Sequence, residues 1–256
     1  MTEVEDDRVG EEFDRRAALY PDANSVLAWS ETGGSDRQNI YLDYVSRRFV
    51  RRYLRPRKAD IVLDFGCGVG RLSMFLGPSA AMIVGVDQSS GMLAAARRWS
   101  RARRIDNVHY VRAGRDGCPL ATACVDKIVT CWVLAHMSDG LLQEMLGEFR
   151  RVLKPGGRLV AFEHVRSARA SYAGIHVQRT VAEYTELIEA AGLRLIASRS
   201  VLRHPSYGRW LWRRFSWLPA LALPLLAFLE ETTVMRKPEY IEYWTNAFVG
   251  IRENFD

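Results

Sequence analysis

Val62-Leu63-Asp64-Phe65-Gly66-Cys67-Gly68-Val69-Gly70 is the stretch that decides the fold. Ile61–Phe65 is a short apolar run that reads as a buried strand, and three glycines follow at alternate positions. Glycine lets the backbone turn sharply and lets a ligand approach the main chain with no Cβ in the way. Arg71–Leu76 then reads as a helix, whose first N–H groups are free to bind. Two ligands compete for such a turn. A dinucleotide site wants G-x-G-x-x-G with pyrophosphate on the helix N-terminus. Here the third glycine comes one place early, and Arg71 holds the sixth position. Asp64 stands just before the loop, where it would receive pyrophosphate poorly but suits a ligand with an ammonium group. Asp87 ends the next strand, 23 residues after Asp64, and a carboxylate there can accept both hydroxyls of a ribose.

Outward from this loop, strand and helix alternate at short intervals. Met82–Val86, Val108–Val111, Lys127–Thr130 (extending to Cys131) and Arg158–Phe162 read as strands. Met92–Ala102, Leu141–Leu153 and Thr180–Ala191 read as helices, the second ended by Pro155-Gly156-Gly157. Leu193–Leu202 and Asn246–Glu253 are two late strands. The alternation predicts parallel βαβ units and an open sheet covered on both faces. Before the loop, Leu42, Val45, Phe49 and Tyr53 recur at helical spacing within Asp36–Leu54, with Arg47, Arg51 and Arg55 on another face, and Pro56 ends the helix. Residues 1–16 hold seven acids and are expected to fray.

The composition is that of a globular chain. Its 256 residues are 48% hydrophobic and 26% charged, with 36 basic against 30 acidic residues. A mainly disordered chain, a collagen-like fibre and a multi-span membrane protein are excluded. Cys67, Cys118, Cys124 and Cys131 contain no CxxC pair, so neither a zinc site nor a disulfide scaffold is expected, and no metal is assigned. The acidic start is not a secretory signal. A reducing, cytoplasmic setting is the simplest expectation.

Four motifs in order then carry a resemblance. Val62–Gly70, Val84-Gly85-Val86-Asp87-Gln88-Ser89-Ser90-Gly91-Met92-Leu93, Val125–His136 and Phe149–Leu159 (with Lys154-Pro155-Gly156-Gly157) resemble the motifs of class I S-adenosylmethionine-dependent methyltransferases. The group most similar is the small-molecule one related to quinone-biosynthesis methyltransferases. The resemblance implies a Rossmann-like α/β fold, a doubly wound, mostly parallel seven-stranded sheet with an antiparallel last strand. It implies a helical lid over residues 1–56, a cofactor-binding domain over 57–256 and a hydrophobic insertion at 203–238. It implies S-adenosyl-L-methionine as cofactor. Gly66, Cys67, Gly68 and Gly70 would lie along its methionine part, with Asp64 near the amine. Asp87 would hold the ribose, Gln88 and Met92 would flank the adenine, and Cys131 would offer a backbone carbonyl to the amine, beside Trp132. The family often has Gly-Asp-Ala before a Leu-Pro pair, and that Asp meets the adenine amino group. Here the place is Gly114, so Asp116 after a loop shift, or Arg115 over the ring face, is the substitute.

A methyl group on a sulfonium is already activated, so the protein chiefly aligns a nucleophile. A base helps when that nucleophile is a hydroxyl. His136 follows the fourth strand and His164 the fifth, both at the ligand edge of an open sheet. Each competes with a plain backbone-bonded histidine. Glu163 either orients His164 or is solvated, and His109, His176 and His204 have less claim. Tyr20 resembles the aromatic residue of a relative's lid. Thr130-Cys131-Trp132-Val133 stands where nucleic-acid base methyltransferases often carry Asn/Asp-Pro-Pro-aromatic. This argues against N-methylation of exocyclic base amino groups, though not against all RNA methylation, and the arginine runs at 47–58 and 97–104 read better as solvated faces, so nucleic acid is not the expected partner. An RNA methyltransferase and a non-catalytic cofactor-binding module stay as alternatives to a small or lipid-linked acceptor.

Arg209–Leu229, RWLWRRFSWLPALALPLLAFL, is too short and too proline-broken to span a bilayer. Three readings stay open: a lid over an apolar acceptor, a peripheral membrane contact at the inner face, and a helical hairpin buried on the domain or on a second copy in a homodimer.

Overall fold

The computed structural model describes residues 6–19, 36–113, 117–172, 174–203, 207–215, 217–236 and 243–253. Strands β1 (Ile61–Phe65), β2 (Met82–Asp87), β3 (Val108–Arg112), β4 (Val125–Cys131), β5 (Leu153–Arg166), β8 (Arg194–Arg203) and β9 (Tyr243–Ile251) form one sheet in the order β3-β2-β1-β4-β5-β9-β8. β1 to β5 pair in parallel, and β9 is antiparallel to both β5 and β8. The fold is therefore the Rossmann-like, mostly parallel sheet that the motif order implied. A second sheet, β6 (Ala170–Tyr172) with β7 (His176–Gln178), is a hairpin between β5 and the next helix. Its three-residue strands are too short to show a periodicity in the sequence.

Successive strand residues point to opposite faces, so neighbours in sequence enter different cores. Val62, Ile83, Val129, Val160 and Phe162 face α2 (Asp36–Leu54), α3 (Arg71–Leu76) and α4 (Ser90–Ala102). Leu63, Val84, Ile128, Leu159 and Ala161 face α5 (Asp139–Val152) and α6 (Val181–Ala190). Ser89, Ser138 and Thr180 cap α4, α5 and α6, the last in a full capping box with Glu183. α5 stops at Val152, and β5 begins at Leu153, before the Pro-Gly-Gly turn.

Three sequence expectations need correction. Asp6–Leu19 is a helix, α1, not a frayed tail. Val9, Phe13 and Ala17 form its inner stripe, at steps of four residues, against Val177, Val69 and Met92. The arginine face of α2 is not simply solvated. Arg48 and Arg52 pair with Glu231, and Arg47 and Arg51 lie over the Phe75 ring. The 203–238 segment contains two helices, α7 (Tyr207–Arg214) and α8 (Leu223–Arg236). Pro219 stands in the break between them, whereas Pro224 sits in the first turn of α8, where a missing N–H costs nothing.

Candidate functional site

The strand registers level the pieces of the site. Phe65 is opposite both Val86 and Thr130, and Cys131 is opposite Phe162. Gly66, Asp87, Cys131 and Glu163 thus cluster at the carboxyl edge, where the strand order reverses between β1 and β4. That reversal opens a crevice for ligands.

Gly66, Gly68 and Gly70 all have positive φ, at 68°, 51° and 76°. Two of them face different surroundings. A Cβ on Gly66 would run into the Val133 methyls, whereas one on Gly68 would meet nothing within 4 Å. The apex of the loop therefore borders open space, and its rear is packed. The Gly68 N–H donates to one oxygen of Asp87 at 2.8 Å, and the Ser89 N–H donates to the other at 2.9 Å. These bonds fix the carboxylate. A carboxylate accepts about four hydrogen bonds, so capacity for two ligand hydroxyls remains. Burial pushes the Asp87 pKa up. Asp64 is buried beneath the loop and accepts from the Ser73 hydroxyl at 2.5 Å. Burial raises it to about 6, and a nearby ammonium would favour its charged form. A glycine cradle with one open position, a fixed ribose-type carboxylate and an acid under the loop fit the nucleoside and amino-acid parts of S-adenosylmethionine.

Cys67 is buried, and burial raises its thiol well above the ordinary range. Cys131 is half-buried and raised by burial to about 12. Neither behaves as a nucleophile. Arg71, at the start of α3, is buried and bonds Asp43 of α2 at 2.7 Å. Gln88 is half-buried with its side chain against Gly10 of α1, and Met92 is fully buried under α1. The Asp14 carboxylate accepts from the Ser89 hydroxyl at 2.5 Å and the Gly91 N–H at 3.0 Å, which holds α1 onto the turn after β2. Those two bonds, the hydroxyl first, lower the Asp14 pKa. Tyr20, Gly114, Arg115 and Asp116 lie outside the described residues.

The other half of the edge is aromatic and imidazole. Trp132 has a positive φ of 58°, a strained conformation of the kind found at functional turns. Its ring stacks on His164 with centroids 5.3 Å apart, and its indole N–H points to the Thr245 hydroxyl at 3.4 Å. His136 lies edge-on to Phe13 of α1 at 5.3 Å and 5.0 Å from His176. Its Nδ1 is 2.7 Å from the Ile175 carbonyl, so that nitrogen donates and Nε2 carries the lone pair. Burial lowers His136 to about 4 and His176 to about 3, so both are neutral near pH 7. His176, ranked low from sequence, thus joins His136 and His164 through the hairpin. Among the described residues, no three His, Cys, Asp or Glu side chains are grouped to hold a metal ion.

Glu163 neither orients His164 nor meets solvent. It is fully buried and accepts from the Thr130 hydroxyl and from the N–H groups of Val133, Leu134 and Ala135 at 3.0–3.3 Å. It ties down the turn that presses Val133 onto Gly66 and carries His136.

The comparisons agree with this geometry. A family model described as a methyltransferase domain matches residues 62–157. Demethylmenaquinone methyltransferase of Tropheryma whipplei (strain Twist) is 30% identical over 161 residues, covering 60% of this chain. The chain spans 65% of that relative's length. Two solved structures share the fold. The [4+2]-cyclase SpnF has a TM-score of 0.68 at 18% identity, over 100% of this chain and 98% of its own. Geranyl diphosphate C-methyltransferase from Streptomyces coelicolor A3(2) has 0.67 at 15%, over 95% and 97%. With the ordered motifs and the 3-2-1-4-5 half of the sheet, the match makes residues 62–157 of this chain similar to a methyltransferase domain, on a fold shared with S-adenosylmethionine-dependent methyltransferases.

Proposed function

We propose that the chain moves a methyl group from S-adenosylmethionine to a small, apolar or lipid-linked acceptor. The observation that carries this is one edge with two halves: the Gly68–Asp87 cradle, and beside it a wall of rings, Trp132, His136, His164 and His176, in which burial keeps His136 and His176 neutral. The cofactor supplies an activated methyl. The protein's residues orient and exclude water. Gly68 leaves room along the backbone, Asp87 holds hydroxyls, and α1 covers the turn after β2. The flat aromatic and imidazole rings favour a planar apolar acceptor. The quinone-type relatives support that class. His136 offers Nε2 to the acceptor side as a positioning contact. With its pKa lowered by burial, it is a weak proton acceptor. The four cysteines are free, which suits the reducing cytoplasm.

Asp87→Ala tests the cofactor half. Loss of charge-assisted bonds to two hydroxyls weakens calorimetric binding by roughly tenfold to a hundredfold. Unchanged binding by a folded variant would remove the ribose assignment. Incubation with quinone-type acceptors and mass spectrometry tests the transfer. No methylated product from a protein that binds the cofactor would leave a non-catalytic module in place of an enzyme.

A further inference from the structure

The α7–α8 pair has two unlike faces. Trp212, Leu223, Leu226 and Ala227 are buried in the core with α2 and β8. The opposite face shows Trp210, Trp217, Leu221, Leu225, Phe228 and Leu229 to solvent, with Leu221 88% exposed. Leu221, Leu225 and Phe228–Leu229 recur at helical spacing along α8 and the turn that leads into it, and Trp210 and Trp217 add two exposed indoles from α7 and the break before that turn; together they form the apolar strip. It holds six of the eleven large exposed apolar side chains among the described residues, a concentration that calls for a partner.

Charge selects that partner. From Ala190 to Leu229 the sequence has six arginines and no carboxylate. Arg213 and Arg214 are exposed beside the strip. The carboxylates that follow, Glu230 and Glu231, are turned inward to Tyr41 and to Arg48 and Arg52. A second copy meeting this face through a two-fold axis would set arginine against arginine with no acid between. An anionic lipid surface instead receives apolar side chains below its headgroups and arginines among them, with tryptophans at the boundary. We propose that the α7–α8 face docks on a bilayer surface bearing anionic headgroups.

The segment that carries the docking face leaves the sheet at the carboxyl edge. β8 ends at Arg203, opposite Trp244, and Trp244 is opposite Val165, next to His164. The segment therefore leaves the sheet at the end that carries the imidazole wall. A lipid-linked acceptor rests on the transfer reading above, but vesicle binding needs no turnover, so either can fail alone.

The test is co-sedimentation of the full chain with phosphatidylcholine vesicles, with and without phosphatidylglycerol. The wild type should pellet with the anionic vesicles and much less with the neutral ones. Leu221→Glu/Leu225→Glu changes only exposed positions, and should lower partitioning about tenfold or more with unchanged circular dichroism and cofactor binding. Arg213→Ala and Arg214→Ala should each lower it roughly fivefold on anionic vesicles alone. Equal pelleting of wild type and the double Glu variant, or no pelleting of either, overturns the proposal. So does a vesicle-independent dimer in light scattering that the double Glu variant dissociates, which would assign the strip to a second copy.

Discussion

Glu163→Gln tests how the buried edge balances charge against hydrogen bonding. Two effects oppose each other at this carboxylate. Three backbone N–H groups and one hydroxyl favour the anion, and complete burial disfavours it. Burial dominates, and lifts the group from 4.5 to about 7. A carboxyl raised on folding contributes stability that is full below pH 4.5 and is lost as pH rises through 7. Between pH 5 and pH 8 that loss is roughly 2.5 kcal/mol. His136 and His176 act with the opposite sign. Their pKa values fall from 6.5 to about 4 and about 3, so their contribution is present above 6.5 and lost as pH falls. The wild-type pH curve alone therefore mixes both.

The amide isolates Glu163. Gln keeps one oxygen as acceptor for Thr130, Val133 and Leu134, and sets an N–H₂ against the Ala135 N–H. At pH 5 the amide is less stable than the wild type, by about 1–3 kcal/mol for one unsatisfied buried donor. Urea unfolding of both proteins at pH 5, 6, 7 and 8, followed by circular dichroism, gives the difference directly. That difference should shrink by roughly 2.5 kcal/mol across the series, because only the wild type must charge a buried group. A constant gap, or one that widens with pH, refutes the reasoning. It would mean that the N–H groups of residues 133–135 hold a stable anion in spite of burial.

Two more perturbations probe the same edge. Gly66→Ala must hold alanine at positive φ and push into Val133, so it should cost about 2–4 kcal/mol in thermal or urea unfolding. Gly68→Ala bears the backbone strain but meets no protein atom, so it should cost about 1–2 kcal/mol yet weaken cofactor binding in calorimetry. Equal losses of stability would show that the loop apex is packed and not open. For catalysis, His136 is neutral throughout pH 5–8 because burial holds it near 4. His136→Ala should lower kcat with no change in the pH dependence of kcat/KM over that range. A limb near 6.5 that disappears in the variant would restore His136 as a titrating base.

The sequence was legible where function is local. A strand, three glycines and an acid at the end of the next strand are contiguous signals, and each strand of the large sheet was placed to within a few residues except the long β5. Composition alone points to fraying at the start of the chain, because the acids of α1 outweigh its three-residue stripe of Val9, Phe13 and Ala17, and only the resemblance implies a helix there. The two prolines of Arg209–Leu229 look alike in the sequence, yet Pro219 stands in the break and Pro224 in the first turn of α8. The imidazole wall was harder to read for a different reason. His136, His164 and His176 come from three separate elements, and the hairpin that brings His176 has only three-residue strands. Glu163 shows the physical root of that difficulty. Three of its four partners are backbone N–H groups 28–30 residues away, and a backbone N–H looks the same whatever side chain it carries. A motif can announce a glycine turn, because only glycine tolerates it. The ring-lined half is held by donors that every residue possesses, so its shape follows from the register of β4 against β5. That register places Glu163 under the turn and the turn against Gly66, and so couples the ring wall to the glycine loop.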